Sequence, residues 1–323
     1  MTDRYARQTV LPEVGEAGQE RLKAARVLVI GAGGLGCAVL PYLTAAGVGS
    51  QVLVDPDRVE ESNLHRQPLY RMSELGELKV QAARRSLLEL NPQVSIETHA
   101  AALTPQNAPQ LLAQADLVLD CADSFAVTYT LSDECRRQGK VLISASVLGL
   151  AGHVGAFCGG APSYRAVFPE MPPQAGSCAT AGVLGTAVGV MGTLQAHMTL
   201  ALLLALEPAP LGQLLSVDFK SLRVAGFSFL GAPEPDAGLS FIAPAQVAAS
   251  DLVIDLRSLA EAPVSPFAGA LRVSVEELEA REPRLPDAPR IVLCCRSGVR
   301  AWRAARLLEA RGHERLALVA LGS

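Results

Sequence analysis

A short apolar run, Val27-Leu28-Val29-Ile30, passes directly into Gly31-Ala32-Gly33-Gly34-Leu35-Gly36, where a helical pattern begins. No other stretch restricts the chain as much. A strand, a glycine turn and a helix N-terminus together aim backbone N–H groups and the positive end of a helix dipole at an anion, which makes a phosphate cradle. Gly31 permits the tight turn, Gly33 and its neighbour Gly34 let backbone approach phosphate, and Gly36 lets the helix lie close on the sheet. The next strand, Gln51–Val54, ends in Asp55. That acid lies roughly 20 residues beyond the glycines, where a ribose hydroxyl is bound.

Taken alone, the glycines favour an NAD-binding unit. The residues after Asp55 argue for a different nucleotide. The run Asp57-Arg58-Val59-Glu60-Glu61-Ser62-Asn63-Leu64-His65-Arg66-Gln67 leads to Lys79. A dinucleotide needs no series of cations after its ribose acid, whereas a triphosphate does. Further on, Leu117–Cys121 reads as a buried strand with Asp123 in the turn at its C-terminal end, the end of an open α/β sheet that carries the ligand crevice. Two roles for Asp123 stay open here: a Mg²⁺ ligand and a helix N-cap.

The chain of 323 residues is long enough for two domains. Only 4% of residues are aromatic, so the core must be mostly aliphatic. A net charge of −4 argues against a broad nucleic-acid surface. The seven cysteines are scattered and odd in number, and Met1-Thr2-Asp3-Arg4-Tyr5 is unlike a signal peptide; free thiols and a cytoplasmic location are expected. Ala179–Leu206 carries no charged side chain and is long enough to span a bilayer. Its glycines, Gln195 and His197, and the distance to the nearest basic residues favour a buried helix, with no membrane contact.

Strands and helices alternate from 27 to 145, which predicts an α/β fold with a doubly wound, mainly parallel, Rossmann-like sheet. Lys79–Leu90 carries Val80, Ala83, Leu87 and Leu90 on one helical stripe, stopped by Asn91-Pro92. Residues 1–230 are assigned to this domain, 231–244 to a Pro/Gly-rich linker, and 245–323 to a short second α/β unit. In that unit Leu252–Asp255 and Arg290–Leu293 are expected strands, Cys295–Arg300 a turn, and Trp302–Arg311 a helix ended by Gly312.

The first domain offers a nucleotide cradle, cations and a candidate magnesium ligand, but no convincing general base; His65 fits a surface or structural role. A carboxylate nucleophile needs no base, because its pKa of roughly 3.5 leaves it ionised at neutral pH. It can attack the α-phosphate of ATP and expel pyrophosphate, leaving the protein to align reactants and offset charge.

The ordered set Arg7-Gln8, Gly31–Gly36, Asp55, Ser62–Gln67, Lys79 and Asp120–Asp123 resembles the ThiF/MoeB/HesA family, bacterial relatives of ubiquitin-activating enzymes. The resemblance covers roughly residues 3–230. It implies adenylation of the C-terminal glycine of a ubiquitin-like sulfur carrier ending in Gly-Gly. Asp55 would bind ribose, Asn63, Arg66 and Lys79 the phosphates, and Asp123 Mg²⁺. Arg7 would reach the partner subunit's site in a homodimer. Cys178, within Gly176-Ser177-Cys178-Ala179-Thr180, matches the family's mobile-loop cysteine, which can bond to the carrier; its bland alternative is a small buried hydrophobe. The chain departs from the family pattern at two places. Many members hold zinc with two Cys-x-x-Cys pairs, but here Ser163 and Ala166 stand in the first pair's place and no pair lies near 227–240, so no zinc is expected. Ser124 stands where asparagine usually comes after the magnesium aspartate.

The second unit resembles rhodanese, with Cys295-Arg296-Ser297-Gly298-Val299-Arg300 as its active loop. Four residues separate Cys295 from Arg300, as in rhodaneses, while related phosphatases have five. The resemblance implies a Cys295 thiolate held by backbone N–H groups, the helix N-terminus, Arg296 and Arg300, carrying a persulfide reloaded by a cysteine desulfurase or thiosulfate. Cys294 is expected to face the other way. Phe267-Ala268-Gly269-Ala270 replaces the usual histidine-containing approach. The expected activity is carrier adenylation followed by sulfur transfer to a thiocarboxylate, in molybdopterin, thiamine, tRNA-thiolation or secondary metabolism. The rivals are an NAD-dependent oxidoreductase and a non-catalytic adaptor.

Overall fold

The computed structural model describes residues 4–172, 182–235, 238–280, 285–286 and 288–322. Two short helices, α1 (Ala6–Thr9) and α2 (Gly15–Ala24), precede β1 (Arg26–Ile30), α3 (Gly34–Ala46) and β2 (Ser50–Val54). Next come α4 (Lys79–Leu90), β3 (Ser95–His99), α5 (Ala108–Ala113), β4 (Leu117–Asp120) and α6 (Phe125–Gln138). The sheet is completed by β5 (Val141–Leu148), β6 (Ala151–Cys158), β7 (Gln213–Asp218) and β8 (Arg223–Ser228), with α7 (Tyr164–Val167) and α8 (Gly185–Leu203) between β6 and β7.

The eight strands run in the order β3-β2-β1-β4-β5-β6-β7-β8. Pairings from β3 through β5 are parallel, and those from β5 to β8 antiparallel. The chain winds outward from β1 to β3 and then restarts on β1's other side with β4. That reversal opens a crevice at the C-terminal ends of β1 and β4. Strand alternation sets the two faces. Val27 and Val29 join a cluster with Leu40 and Leu43 of α3 and Val188 and Met191 of α8. Leu28 and Ile30 face the opposite cluster, with Leu112, Tyr129 and Leu131. Burial on both faces explains why β1 and β4 read as unbroken apolar runs.

Helix α8 is long and apolar enough to cross a membrane, by length and composition, yet half of it is buried within the molecule. It packs on α3, β5 and β6. Gly192 makes the close approach to α3 possible: a Cβ there would stand 2.7 Å from Ala38 Cβ and 2.8 Å from the Leu35 carbonyl.

The second unit is a four-stranded sheet in the order β10-β9-β11-β12, made of β9 (Leu252–Asp255), β10 (Leu271–Arg272), β11 (Ile291–Cys295) and β12 (Leu316–Ala320). Helices α9 (Val275–Ala280) and α10 (Val299–Ala310) accompany it. The helix expected from Trp302 starts three residues earlier, because Gly298, in the left-handed region at φ 87°, turns the chain straight into it. Arg300 therefore sits on the first turn of α10 and not in the preceding loop. The end of the expected linker is also ordered: the Ile242 N–H donates to Leu318 O at 2.8 Å, and Leu318 N–H to Ser240 O at 3.0 Å.

One apolar cluster spans both units, joining Tyr129 of α6 to Trp302, Ala301 and Leu293 of the second. The Tyr129 and Trp302 rings lie 5.1 Å apart. Arg165, buried, stands 4.6 Å over the Tyr129 ring and donates to Asp133 and to Leu239 O, each at 2.9 Å. At the rim, Arg306 pairs with Glu170 at 2.7 Å.

Candidate active site

A cavity of ≈ 660 Å³ opens over the C-terminal ends of β1, β2 and β4. Its floor is the glycine turn. Gly31 has φ 102°, and a Cβ there would meet Cys121 O at 2.6 Å. A Cβ on Gly36 would stand 2.2 Å from Gly31 O, so only glycine lets α3 begin this close to the turn that precedes it. Three bonds pin the turn: Gly31 N–H to Val54 O at 2.9 Å, Ala32 N–H to Asp55 Oδ2 at 2.7 Å, and Tyr70 O–H to Ala32 O at 2.7 Å.

Gly31, Gly33, Gly34, Asp55, Asn63, Arg66, Lys79 and Asp123, named from the sequence, all line this cavity. Asp55 is buried; burial raises its pKa, opposed by the Ala32 and Asp57 N–H groups and by Lys79. Lys79 opens α4 almost fully buried, its Nζ 2.9 Å from Asp57 Oδ2. Arg66 Nη2 donates to Asn63 Oδ1 at 2.7 Å, and its Nη1 lies 2.8 Å from the exposed His65 ring nitrogen. Asp123 is exposed, and among the described residues its carboxylate takes no hydrogen bond or ion pair. The N-cap position of α6 is held by Ser124, without a capping hydrogen bond from its side chain, so Asp123 is not the N-cap.

Three contributors had no role at the site assigned from the sequence. Asp120, fully buried beneath the site, accepts from Thr128 Oγ1 at 2.7 Å, Ser144 Oγ at 2.9 Å and Ala122 N–H at 3.2 Å. Burial pushes its pKa up to about 6. Gln195 of α8 donates to Asp120 O at 2.8 Å and Ile143 O at 2.9 Å, tying the helix to the strand ends. A lone amide in an otherwise apolar helix was the available signal. Asp57 is the third, as the partner of Lys79.

Arg7 is exposed on α1, which sits at the C-terminal end of α3: Gln8 Nε2 donates to Ala46 O at 3.1 Å. The glycine turn lies at the other end of that helix, roughly 20 Å away at 1.5 Å per residue. Arg7 therefore does not join the cavity of its own chain. Cys178 lies outside the described residues.

At the cavity's far wall stand Phe241–Pro244, Arg296 and Ala320–Gly322 of the second unit. Cys295 closes β11, fully covered, and its Sγ accepts from Gly298 N–H at 3.1 Å and Ala301 N–H at 3.4 Å. Of the partners expected for Cys295, the backbone N–H groups at the start of α10 reach its sulfur, whereas among the described residues neither Arg296 nor Arg300 bonds to it. Arg300 is held instead by Glu261, at 2.8 and 2.6 Å, and by Leu256 O at 3.1 Å. Cys294 faces the opposite side of the sheet, among Val253, Val292, Ala317 and Val319. Burial pushes the thiols of Cys37, Cys158 and Cys294 up to about 12, and those of Cys121 and Cys135 well above the ordinary value.

In the place expected to hold the first Cys-x-x-Cys pair, Ser163 donates from its N–H and its hydroxyl to the two carboxylate oxygens of Glu234, both at 2.6 Å. Arg136 lies 3.4 Å from the same carboxylate. A polar clasp therefore links the loop after β6 to the chain beyond β8.

The model of the ThiF family matches residues 5–238. The chain belongs to the ThiF family. This membership, and not the glycine turn, separates it from NAD-binding Rossmann proteins. Among curated relatives, it is similar to the adenylyltransferase and sulfurtransferase uba4 of Pyricularia oryzae, 48% identical over 64% of this chain and 45% of that protein. It is also similar to the adenylyltransferase and sulfurtransferase MOCS3 of Bos taurus, 48% identical over 67% of this chain and 48% of that protein. The chain thus spans about half the length of these relatives. Among solved structures, E. coli MccB crystallised with ATP shares the fold, with a TM-score of 0.63 at 20% identity over 73% of this chain and 74% of that one.

Proposed function

We propose that this ThiF-family chain adenylates the C-terminal glycine of a ubiquitin-like sulfur carrier with ATP, and that its second, rhodanese-like unit delivers persulfide sulfur to give a thiocarboxylate. One observation carries the reading: a single cavity gathers the glycine turn, Asp55, Asn63, Arg66, Lys79 and Asp123. The relatives named adenylyltransferase and sulfurtransferase point the same way.

In this reading the glycine-turn amides and the start of α3 receive phosphate oxygens, Asp55 takes the ribose hydroxyls, and Arg66 and Lys79 offset charge on the departing pyrophosphate. Both cations are held by neighbours, so little reorganisation is needed when charge develops. Magnesium, when bound, would supply further neutralisation of phosphate charge. Asp123 suits it, because Mg²⁺ is held by one or two carboxylates together with substrate phosphates. The carrier carboxylate attacks the α-phosphate. The Cys295 persulfide then attacks the acyl carbon and expels AMP, leaving an acyl disulfide. Cys178 attacks the Cys295 sulfur of that disulfide and releases the thiocarboxylate; an external thiol reduces the resulting Cys178–Cys295 disulfide. A desulfurase or thiosulfate reloads Cys295. Arg7 completes the site of a second copy in a homodimer.

The test is carrier-dependent ATP–pyrophosphate exchange with a ubiquitin-like protein ending in Gly-Gly. Arg66→Ala, Lys79→Ala and Asp123→Ala should each lower exchange at least about tenfold, the size of one charge-assisted contact. Near-normal exchange in all three removes the assignment.

A further inference from the structure

Three cations line the nucleotide cavity: Arg66, Lys79 and Arg296. Arg66 is bonded to Asn63 and Lys79 is paired with Asp57. Arg296 differs: its side chain makes no hydrogen bond or ion pair among the described residues. Its backbone is nevertheless fixed. The Arg296 carbonyl accepts from Gly322 N–H at 3.0 Å, and Leu321 N–H donates to Cys295 O at 2.9 Å. Two residues on, Gly298 is wedged so tightly that a Cβ would lie 2.6 Å from the Phe241 ring and 3.4 Å from Ala126 of α6. The loop is therefore seated against the first unit, and an unpaired guanidinium is left at the cavity wall.

A fixed loop presenting a free guanidinium to a cavity that already holds an anion cradle is suited to phosphate oxygens, which the planar fork can bind two at a time. We propose that Arg296 is a nucleotide-binding residue: it extends from the sulfur-transfer loop and holds phosphate oxygens of ATP in the adenylation cavity. The proposal rests on the adenylation reading and assigns Arg296 to the first reaction in addition to its place beside Cys295. By linkage, ATP that contacts Arg296 also favours the seated position of the second unit.

The experiment is a titration of the full chain with ATP and Mg²⁺, without carrier, by calorimetry. Arg296→Ala should bind about tenfold more weakly, with Arg296→Lys between it and the parent. Arg303→Ala, on the outer face of α10 and paired with Glu279, should bind as the parent does. Hydrogen exchange supplies a second readout: ATP should slow the amides of 295–301 and 316–322 in the parent, and less so in Arg296→Ala. If Arg66→Ala loses ATP while Arg296→Ala binds normally, the role of Arg296 is overturned and adenylation stands. If the parent does not bind ATP, or Arg66→Ala binds as the parent does, the adenylation reading fails and the proposal fails with it. Should Arg296→Ala not fold, the parent's exchange decides: no ATP-dependent protection of the loop overturns the proposal.

Discussion

Gly36→Ala tests the glycine turn most directly. The added Cβ would lie 2.2 Å from Gly31 O, whereas ordinary contact begins near 3.4 Å, so something must move by more than 1 Å. The turn cannot yield easily, because Gly31 and Ala32 are bonded to Val54, Asp55 and Tyr70. The first turn of α3 must lift instead, away from the position proposed to receive phosphate. Overpacking of this kind costs about 1–3 kcal/mol, a fall in Tm of roughly 1.5–4.5 °C for a chain of this size. A displacement of about 1 Å at a reacting group costs on the order of a hundredfold in rate. Gly33→Ala is the counterpart. Its Cβ would find only Gln67 Nε2, at 3.8 Å, so the fold accepts it. The methyl would instead occupy space at the cavity, where phosphate is proposed to approach. Differential scanning fluorimetry and ATP titration on both variants should therefore separate them: Gly36→Ala loses stability and binding, Gly33→Ala binding alone. A Gly36→Ala protein with parental Tm and parental ATP affinity would refute the reasoning.

Cys295→Ala should leave ATP–pyrophosphate exchange intact and abolish thiocarboxylated carrier by mass spectrometry, while Cys294→Ala should be mild in both assays; thiocarboxylate formed at the parental rate by Cys295→Ala would show that sulfur comes from elsewhere. Glu234→Ala leaves the Ser163 N–H and hydroxyl without their acceptor and should destabilise by about 2 kcal/mol, read by chemical denaturation. Elemental analysis of the parent should find no stoichiometric zinc, and a chelator should not shift its Tm. Asp120 has a folded pKa of about 6, raised by burial above the ordinary 3.8, so its contribution to stability is fully present below pH ~4 and is lost as pH rises through 6. Asp120→Asn should flatten that part of the stability–pH curve relative to the parent; identical slopes between pH 4 and 6 would count against it.

The eight-stranded sheet was legible because both faces of β1 and β4 are buried, which leaves unbroken apolar runs, and because Asn91-Pro92 and the glycines mark ends. Lys79–Leu90 matches its helix residue for residue, since one apolar stripe and a stop signal agree. The family resemblance assigned Asp55, Arg66, Lys79 and Asp123 to one site, and all four line one cavity. Other features depend on contacts that no local pattern encodes. Asp120 looks like the last residue of a strand until Thr128 and Ser144 are folded against it. Arg300 looks like a thiolate partner until Glu261, 39 residues away, takes its guanidinium. Ser163 looks like a lost ligand until Glu234, 71 residues on, closes over it. The place of Arg296 at the wall of this cavity depends on docking between two sheets, and nothing in the loop's own sequence announces it.

The pleat of β11 separates two sulfurs that share a peptide bond. Cys294 and Cys295 point into different apolar layers, and the Cys294 thiol is pushed up to about 12 by burial, so it stays protonated at neutral pH. A strand used in this way acts as a partition. On the proposed reading, sulfur loaded on Cys295 would find the neighbouring Cys294 thiol shut away across the sheet. Had the pair stood in a loop, the adjacent thiol could have intercepted such a cargo and closed a ring; in the proposed reaction, one residue of register prevents the short circuit.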